Sequence, residues 1–65
     1  KNLKNNRVSI VTLERILKGT KISRDMIDIK RPGSGIQPIY WNEVIKKVAK
    51  KDIDSEIPLQ WSMLE

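Results

Sequence analysis

The stretch Ile29-Lys30-Arg31-Pro32-Gly33-Ser34-Gly35-Ile36 constrains this chain more than any other. An apolar alternation runs into it, and a helical pattern leaves it. A proline ring clashes with an α-conformation in the residue before it, so Arg31 is held in extended geometry. Gly33 and Gly35 admit left-handed or crowded backbone. The stretch therefore reads as a cation on a stiff strand end, beside a loop that another group can approach closely. A tight connection with a solvated Lys-Arg pair is the plainer reading of these residues alone, because short motifs match by chance.

Sixty-five residues make one domain at most, and a chain of this size buries only about 60% of its unfolded surface. It has no cysteine and no histidine, which excludes disulfides and the common zinc sites. The absence of cysteine is compatible with the cytosol. No apolar run approaches the length of a membrane span, and there is no signal-peptide pattern. The chain starts at Lys1 without an initiator methionine, and is expected to be a fragment of something longer. The net charge of +5 points to anionic partners. The lysines are scattered, however, and only Lys46-Lys47 and Lys50-Lys51 pair up. Of Tyr40, Trp41 and Trp61, two fit core positions. A solvated basic surface accounts for this better than nucleic-acid or membrane binding.

Residues 1–6 are polar and rich in asparagine, and read as the end of an interdomain linker. Residues 7–13 are rich in β-branched residues and predict a strand with both faces partly covered. Lys18-Gly19-Thr20 is a turn signal. Ser23 is a good N-cap for a single helical or 3-10 turn over residues 24–27. Ile27, Ile29 and Arg31 then share one side of a short strand, with Asp28 and Lys30 on the other. That phase puts the Arg31 stem on the packed side. Pro38 suits the first turn of a helix, and Trp41, Val44, Ile45 and Val48 recur on one helical face, which makes Trp41 core. The spacing predicts a helix over residues 39–46. Residues 48–50 read as another short strand. Residues 16–27 also align without gaps to residues 53–64: Ile16 meets Ile53, Ile22 meets Leu59, Met26 meets Met63 and Ile27 meets Leu64. This suggests an internal repeat, against the alternative of chance apolar spacing. Glu56 stands where the first copy has Gly19, so that turn is expected to use another geometry.

The chain carries no nucleophile, acid–base or metal constellation. Asp25, Asp28, Glu43, Asp52, Asp54 and Glu56 fall beside lysines or at element ends, where solvated surface pairs are usual. Gly33-Ser34-Gly35 lacks the lysine-serine ending of a phosphate loop.

In order, Ile22-Ser23-Arg24-Asp25-Met26-Ile27, then Lys30-Arg31-Pro32-Gly33-x-Gly35-Ile36, then Tyr40-Trp41-Asn42-Glu43-Val44-Ile45-Lys46-Lys47 and Lys51-Asp52-Ile53 resemble the C-terminal antifreeze-like (SAF) domain of bacterial sialic acid synthases. The legionaminate, pseudaminate and spore-coat synthases carry similar domains. The resemblance spans residues 8–64, and its most specific part is residues 30–36. It implies a small, mostly β, β-clip-like domain over residues 7–64, with short strands, 3-10 turns, one short helix and a pseudo-two-fold repeat. It also implies a function. Such synthases are cytoplasmic and condense phosphoenolpyruvate with N-acetylmannosamine or a related acylamino sugar. The catalytic barrel holds manganese or another divalent metal. In a swapped homodimer the antifreeze-like domain covers the partner subunit's barrel, and the motif arginine, here Arg31, reaches the sugar N-acyl group. Pro32, Gly33 and Gly35 form the supporting loop. The domain alone would be inactive, with no catalytic and no metal-binding residue of its own. Family members usually carry glycine where this chain has Lys46. Either Lys46 is strained or the helix ends differently.

Two other classes share this type of fold. Fish type III antifreeze proteins bind ice, but they need a flat, mostly uncharged surface, and 32% of this chain is charged. The pilus and flagellar assembly branch of the SAF family is secreted, so a signal peptide in the parent gene would favour it.

Overall fold

A computed structural model of the chain describes residues 7–65, and the expected linker over residues 1–6 lies outside them. Strand β1 (Ser9–Thr12) pairs antiparallel with β2 (Ile27–Lys30), in register from Ser9 opposite Lys30 to Thr12 opposite Ile27. All four residues of β1 are buried, as the lack of any polar alternation predicts. The rest of the β structure is isolated bridges: Val11 with Pro58, Ile16 with Ile53, Lys21 with Val48, and Ala49 with Leu64. The chain is thus a small, mostly β domain of short strands, 3-10 turns and one short helix.

These bridges carry the repeat. Ile16 and Ile53 exchange both backbone hydrogen bonds, at 2.7 Å each way. An offset of 37 residues (Ile16 to Ile53) then maps one half of the backbone network onto the other. Ile22 N donates to Lys47 O at 3.0 Å, and Leu59 N to Ile10 O at 2.9 Å. Leu13 N donates to Met26 O at 2.8 Å, and Lys50 N to Met63 O at 2.7 Å. The 3-10 turns Arg24–Met26 and Trp61–Met63 correspond. Gly19 (φ +89°) and Glu56 (φ +60°) both take left-handed backbone, which corrects the expectation of another turn geometry at Glu56. The expected repeat of residues 16–27 in 53–64 is present and extends outward to residues 10–28 and 47–65.

The core lies on this pseudo-two-fold. Ile16 and Ile53, Ile22 and Leu59, and Ile27 and Leu64 enter it as matched pairs, joined by Ile10, Val44, Ala49 and Ile36. Burying an aliphatic side chain contributes roughly 1.5–3 kcal/mol. These β-branched and leucine positions supply most of the stabilisation that a chain without disulfides can draw on.

Residues 29–46 connect the two copies and follow no symmetry. A 3-10 turn (Pro38–Tyr40) leads into α1 (Trp41–Val44), which is a single turn and shorter than the predicted span of 39–46. Val44 is buried, and Trp41 and Ile45 pack against the core. Val48 does not continue the helical face, because it has already entered its bridge with Lys21. The helix closes by tightening: Lys46 N donates to Glu43 O and Lys47 N to Val44 O, three residues back. Lys46 is not left-handed; among the described residues Glu56 is the non-glycine residue with positive φ. The helix therefore ends differently, without strain at Lys46.

Two smaller expectations also change. Ser23 occupies the N-cap position, but its hydroxyl donates to Asp25 Oδ1 at 3.1 Å rather than capping the backbone. Of the three large aromatics, Trp41 packs on the core. Tyr40 and Trp61 are each 43% exposed and meet edge to face, with ring centroids 5.8 Å apart.

Candidate functional site

Lys30 ends β2, and the chain bends away at Arg31. Ile27 and Ile29 share the sheet face of Ile10 and Thr12, since directly opposed residues of an antiparallel pair point the same way. Burial fades along that face, from 2% exposure at Ile27 to 46% at Ile29. Arg31 is exposed. The expectation of a packed Arg31 stem is thus corrected. The strand phase is as read, but the core ends before reaching residue 31.

The loop after Arg31 is fixed to the body at three points. The Ser9 hydroxyl, on a fully buried residue, donates to the Pro32 carbonyl. Gln60 Nε2 donates to Ser34 O at 2.9 Å. Ile36 N donates to Leu59 O and Ile36 O accepts from Ile10 N, both at 2.8 Å. The Arg31–Pro32 peptide is cis.

Gly33 and Gly35 are needed for close approach, and neither has a left-handed φ. A Cβ on Gly33 would lie 2.7 Å from the Arg7 Cβ. One on Gly35 would lie 2.6 Å from Leu59 O and 2.9 Å from the Pro58 Cβ. The group that approaches these glycines is the chain's own body. The close approach expected at these glycines is present, and it seats the loop, while Arg31 beside it is exposed.

Lys30 turns the other way. Its Nζ lies 3.2 Å from both carboxylate oxygens of Glu56, joining the end of β2 to the left-handed turn of the second repeat. Sequence reading missed Ser9, Gln60 and the Lys30–Glu56 pair. Each is 23 or 26 residues from its partner in sequence, and no local pattern encodes such a contact.

Several of these carboxylates are engaged at the surface. Asp52 and Asp54 lie 3.5 and 3.8 Å from the Arg15 guanidinium. Asp52 Oδ1 also accepts from Lys18 N at 2.8 Å, and Asp28 Oδ1 accepts from Ile29 N. Among the described residues no group of three or more acidic, histidine or cysteine side chains gathers where a metal could sit. No helix among them is long and apolar enough to cross a membrane. What the site can offer chemically is a directional cation on a fixed loop.

Comparison with known proteins agrees with this geometry. The chain is 36% identical over 58 residues to the Methanocaldococcus jannaschii protein named "Uncharacterized protein MJ1065". The aligned part covers 89% of this chain and 17% of that relative, so the chain spans about a sixth of its length. The family model described as "SAF domain" matches residues 7–65. That match takes in both copies of the repeat and the loop between them, and the chain belongs to the SAF domain family.

Proposed function

We propose that this chain is the substrate-capping domain of a sialic-acid-synthase-type enzyme. In this reading it covers the barrel of the partner subunit in a homodimer, and the Arg31 guanidinium donates to the N-acyl oxygen of an acylamino sugar. The observation that carries it is the exposed Arg31 on a loop pinned at Pro32, Ser34 and Ile36. A guanidinium is planar, permanently charged and geometrically fixed, so it can donate directionally to an amide oxygen. A pinned loop limits the entropy lost when that bond forms. Covering a barrel mouth would also exclude water from the reaction. The divalent metal and the groups that activate phosphoenolpyruvate belong, in this reading, to the barrel of a cytoplasmic parent. The chain alone should release no phosphate from phosphoenolpyruvate and an acylamino-mannose.

The test is Arg31→Ala in the full-length parent. A hydrogen bond from a charged donor contributes about 1.5–3 kcal/mol, so kcat/KM for the amino sugar should fall by roughly one to two orders of magnitude. Arg31→Lys should recover only part of the loss, because lysine lacks the planar fork. An unchanged kcat/KM would refute the reading. A parallel melt of the 65-residue chain separates the roles: a Tm loss as large as that of Gly35→Ala would make Arg31 structural.

A further inference from the structure

Ser9 begins β1 and stands directly opposite Lys30, the last residue of β2. It is fully buried, and its hydroxyl donates to the Pro32 carbonyl. One residue therefore holds both chain neighbours of Arg31: Lys30 through the ladder, and Pro32 through the hydroxyl. A buried hydroxyl is costly without a hydrogen bond, and proline can offer it only a carbonyl, since it has no N–H. The other pins act further along the loop. The Gln60 amide reaches Ser34 O, and Leu59 and Ile10 hold Ile36. The other buried hydroxyl of β1, on Thr12, is spent elsewhere, on Asp54 O and Ile57 N. Ser9 also lies just outside the repeat, which maps residues 10–28 onto 47–65. Its bond thus belongs to the connecting loop and not to the repeated framework.

We propose that Ser9 is a positioning residue for Arg31: its buried hydroxyl fixes the backbone from which the exposed guanidinium reaches its ligand. The inference rests on the substrate-binding role proposed above for Arg31. The sheet holds the chain as far as Lys30, and the Ser9 hydroxyl is the next fixed point. Without it, residues 31–33 can pivot on the strand end, and a small backbone rotation displaces the tip of a side chain as long as arginine by much more. A hydrogen bond to an acyl oxygen weakens steeply with distance and angle, and a misplacement of about 1 Å at a binding group is enough to slow a reaction substantially. Ser9 touches no ligand in this reading and acts only through Arg31.

The test joins a structural readout to a kinetic one. In the ¹⁵N-labelled 65-residue chain, Ser9→Ala should lower the order parameter of the Arg31 amide from about 0.85 to about 0.6 or less, while the Ile36 amide stays ordered. In the full-length parent, Ser9→Ala should lower kcat/KM for the acylamino sugar about two- to tenfold, the loss of one neutral hydrogen bond, and leave KM for phosphoenolpyruvate unchanged. In an Arg31→Ala background the same change should have no further effect on kcat/KM, which a general loss of stability would not reproduce. Ser9→Cys keeps a small side chain with a weaker donor. It should fall between the unaltered enzyme and Ser9→Ala, with its loss likewise absent beside Arg31→Ala, and it decides the question if Ser9→Ala fails to fold. An Arg31 amide that stays ordered, or additive losses in the double variant, would overturn the proposal. So would full kcat/KM in Ser9→Ala when Arg31→Ala has lost it. If Arg31→Ala itself loses nothing, the substrate-binding role of Arg31 fails, and this proposal with it.

Discussion

The Thr12 hydroxyl is interposed in the turn that holds Ile57. It accepts from Ile57 N at 2.9 Å and donates to Asp54 O at 2.7 Å. In the first copy the equivalent turn closes directly, with Thr20 N donating to Leu17 O at 3.1 Å, and alanine (Ala49) stands where the second copy has Thr12. Gly19 N donates to Ala49 O and Glu56 N to Thr12 O, both at 2.8 Å. The left-handed residue is thus glycine beside Ala49, and glutamate beside Thr12. Thr12 thus holds from inside the core the turn in which Glu56 takes positive φ.

Removing that hydroxyl should destabilise the chain. Thr12→Ala leaves Ile57 N and Asp54 O without their present partner and should cost about 1–3 kcal/mol, read from urea unfolding. The double variant Thr12→Ala/Glu56→Gly copies the first turn and should recover part of that loss. If the two changes are strictly additive, the coupling between Thr12 and the Glu56 turn is absent.

Glu56→Gly alone should be close to neutral. It relieves about 1 kcal/mol of left-handed strain. It also removes an exposed Lys30–Glu56 pair that contributes about 0–1 kcal/mol. Lys30→Ala removes only the pair and should cost under about 1 kcal/mol. Thermal melts of both variants check this, and a large loss in Glu56→Gly would contradict the equivalence of the two turns.

Gly35→Ala should be more harmful than Gly19→Ala. The first puts a methyl 2.6 Å from a backbone carbonyl, which cannot swing aside, and overpacking of this kind costs about 1–3 kcal/mol or more. The second meets nothing within 4 Å and carries only its positive φ, a cost of about 1–2 kcal/mol. Comparing the two melts with hydrogen exchange at the Ile36 amide would show the loop lifting from Leu59 only in Gly35→Ala.

Trp41→Ala should cost about 3 kcal/mol, the lower end for a tryptophan truncation, because Trp41 packs on the core from a half-buried position. Trp61→Ala removes an exposed edge-to-face partner of Tyr40 and should cost about 1 kcal/mol. Equal losses would mean that Trp61 contributes to the core as much as Trp41 does.

Several features could be read from the residues because they are local or periodic. The β-branched run in β1 has no polar face, and it is buried on both sides. Apolar spacing exposed the repeat, although Glu56 opposite Gly19 suggested a different turn geometry and in fact shares the left-handed backbone. The motif around Arg31 was visible through proline and glycine, whose backbone limits are intrinsic.

What needed the tertiary structure was where packing ends and what fills each gap. A strand phase gives the side of the sheet but not how far the core extends along it, so Arg31 is exposed although Ile27 on the same face is buried. The glycines announced a close approach, but only the fold shows that Arg7, Pro58 and Leu59 make it. The helix is one turn long because Lys47 and Val48 are claimed by pairing with Ile22 and Lys21 across the pseudo-two-fold. Such contacts join residues more than twenty apart, and their energy depends on the whole chain being folded. Local patterns together with the resemblance around residues 30–36 therefore pointed to the kind of domain, while long-range pairing decided which side chains it buries and which it presents.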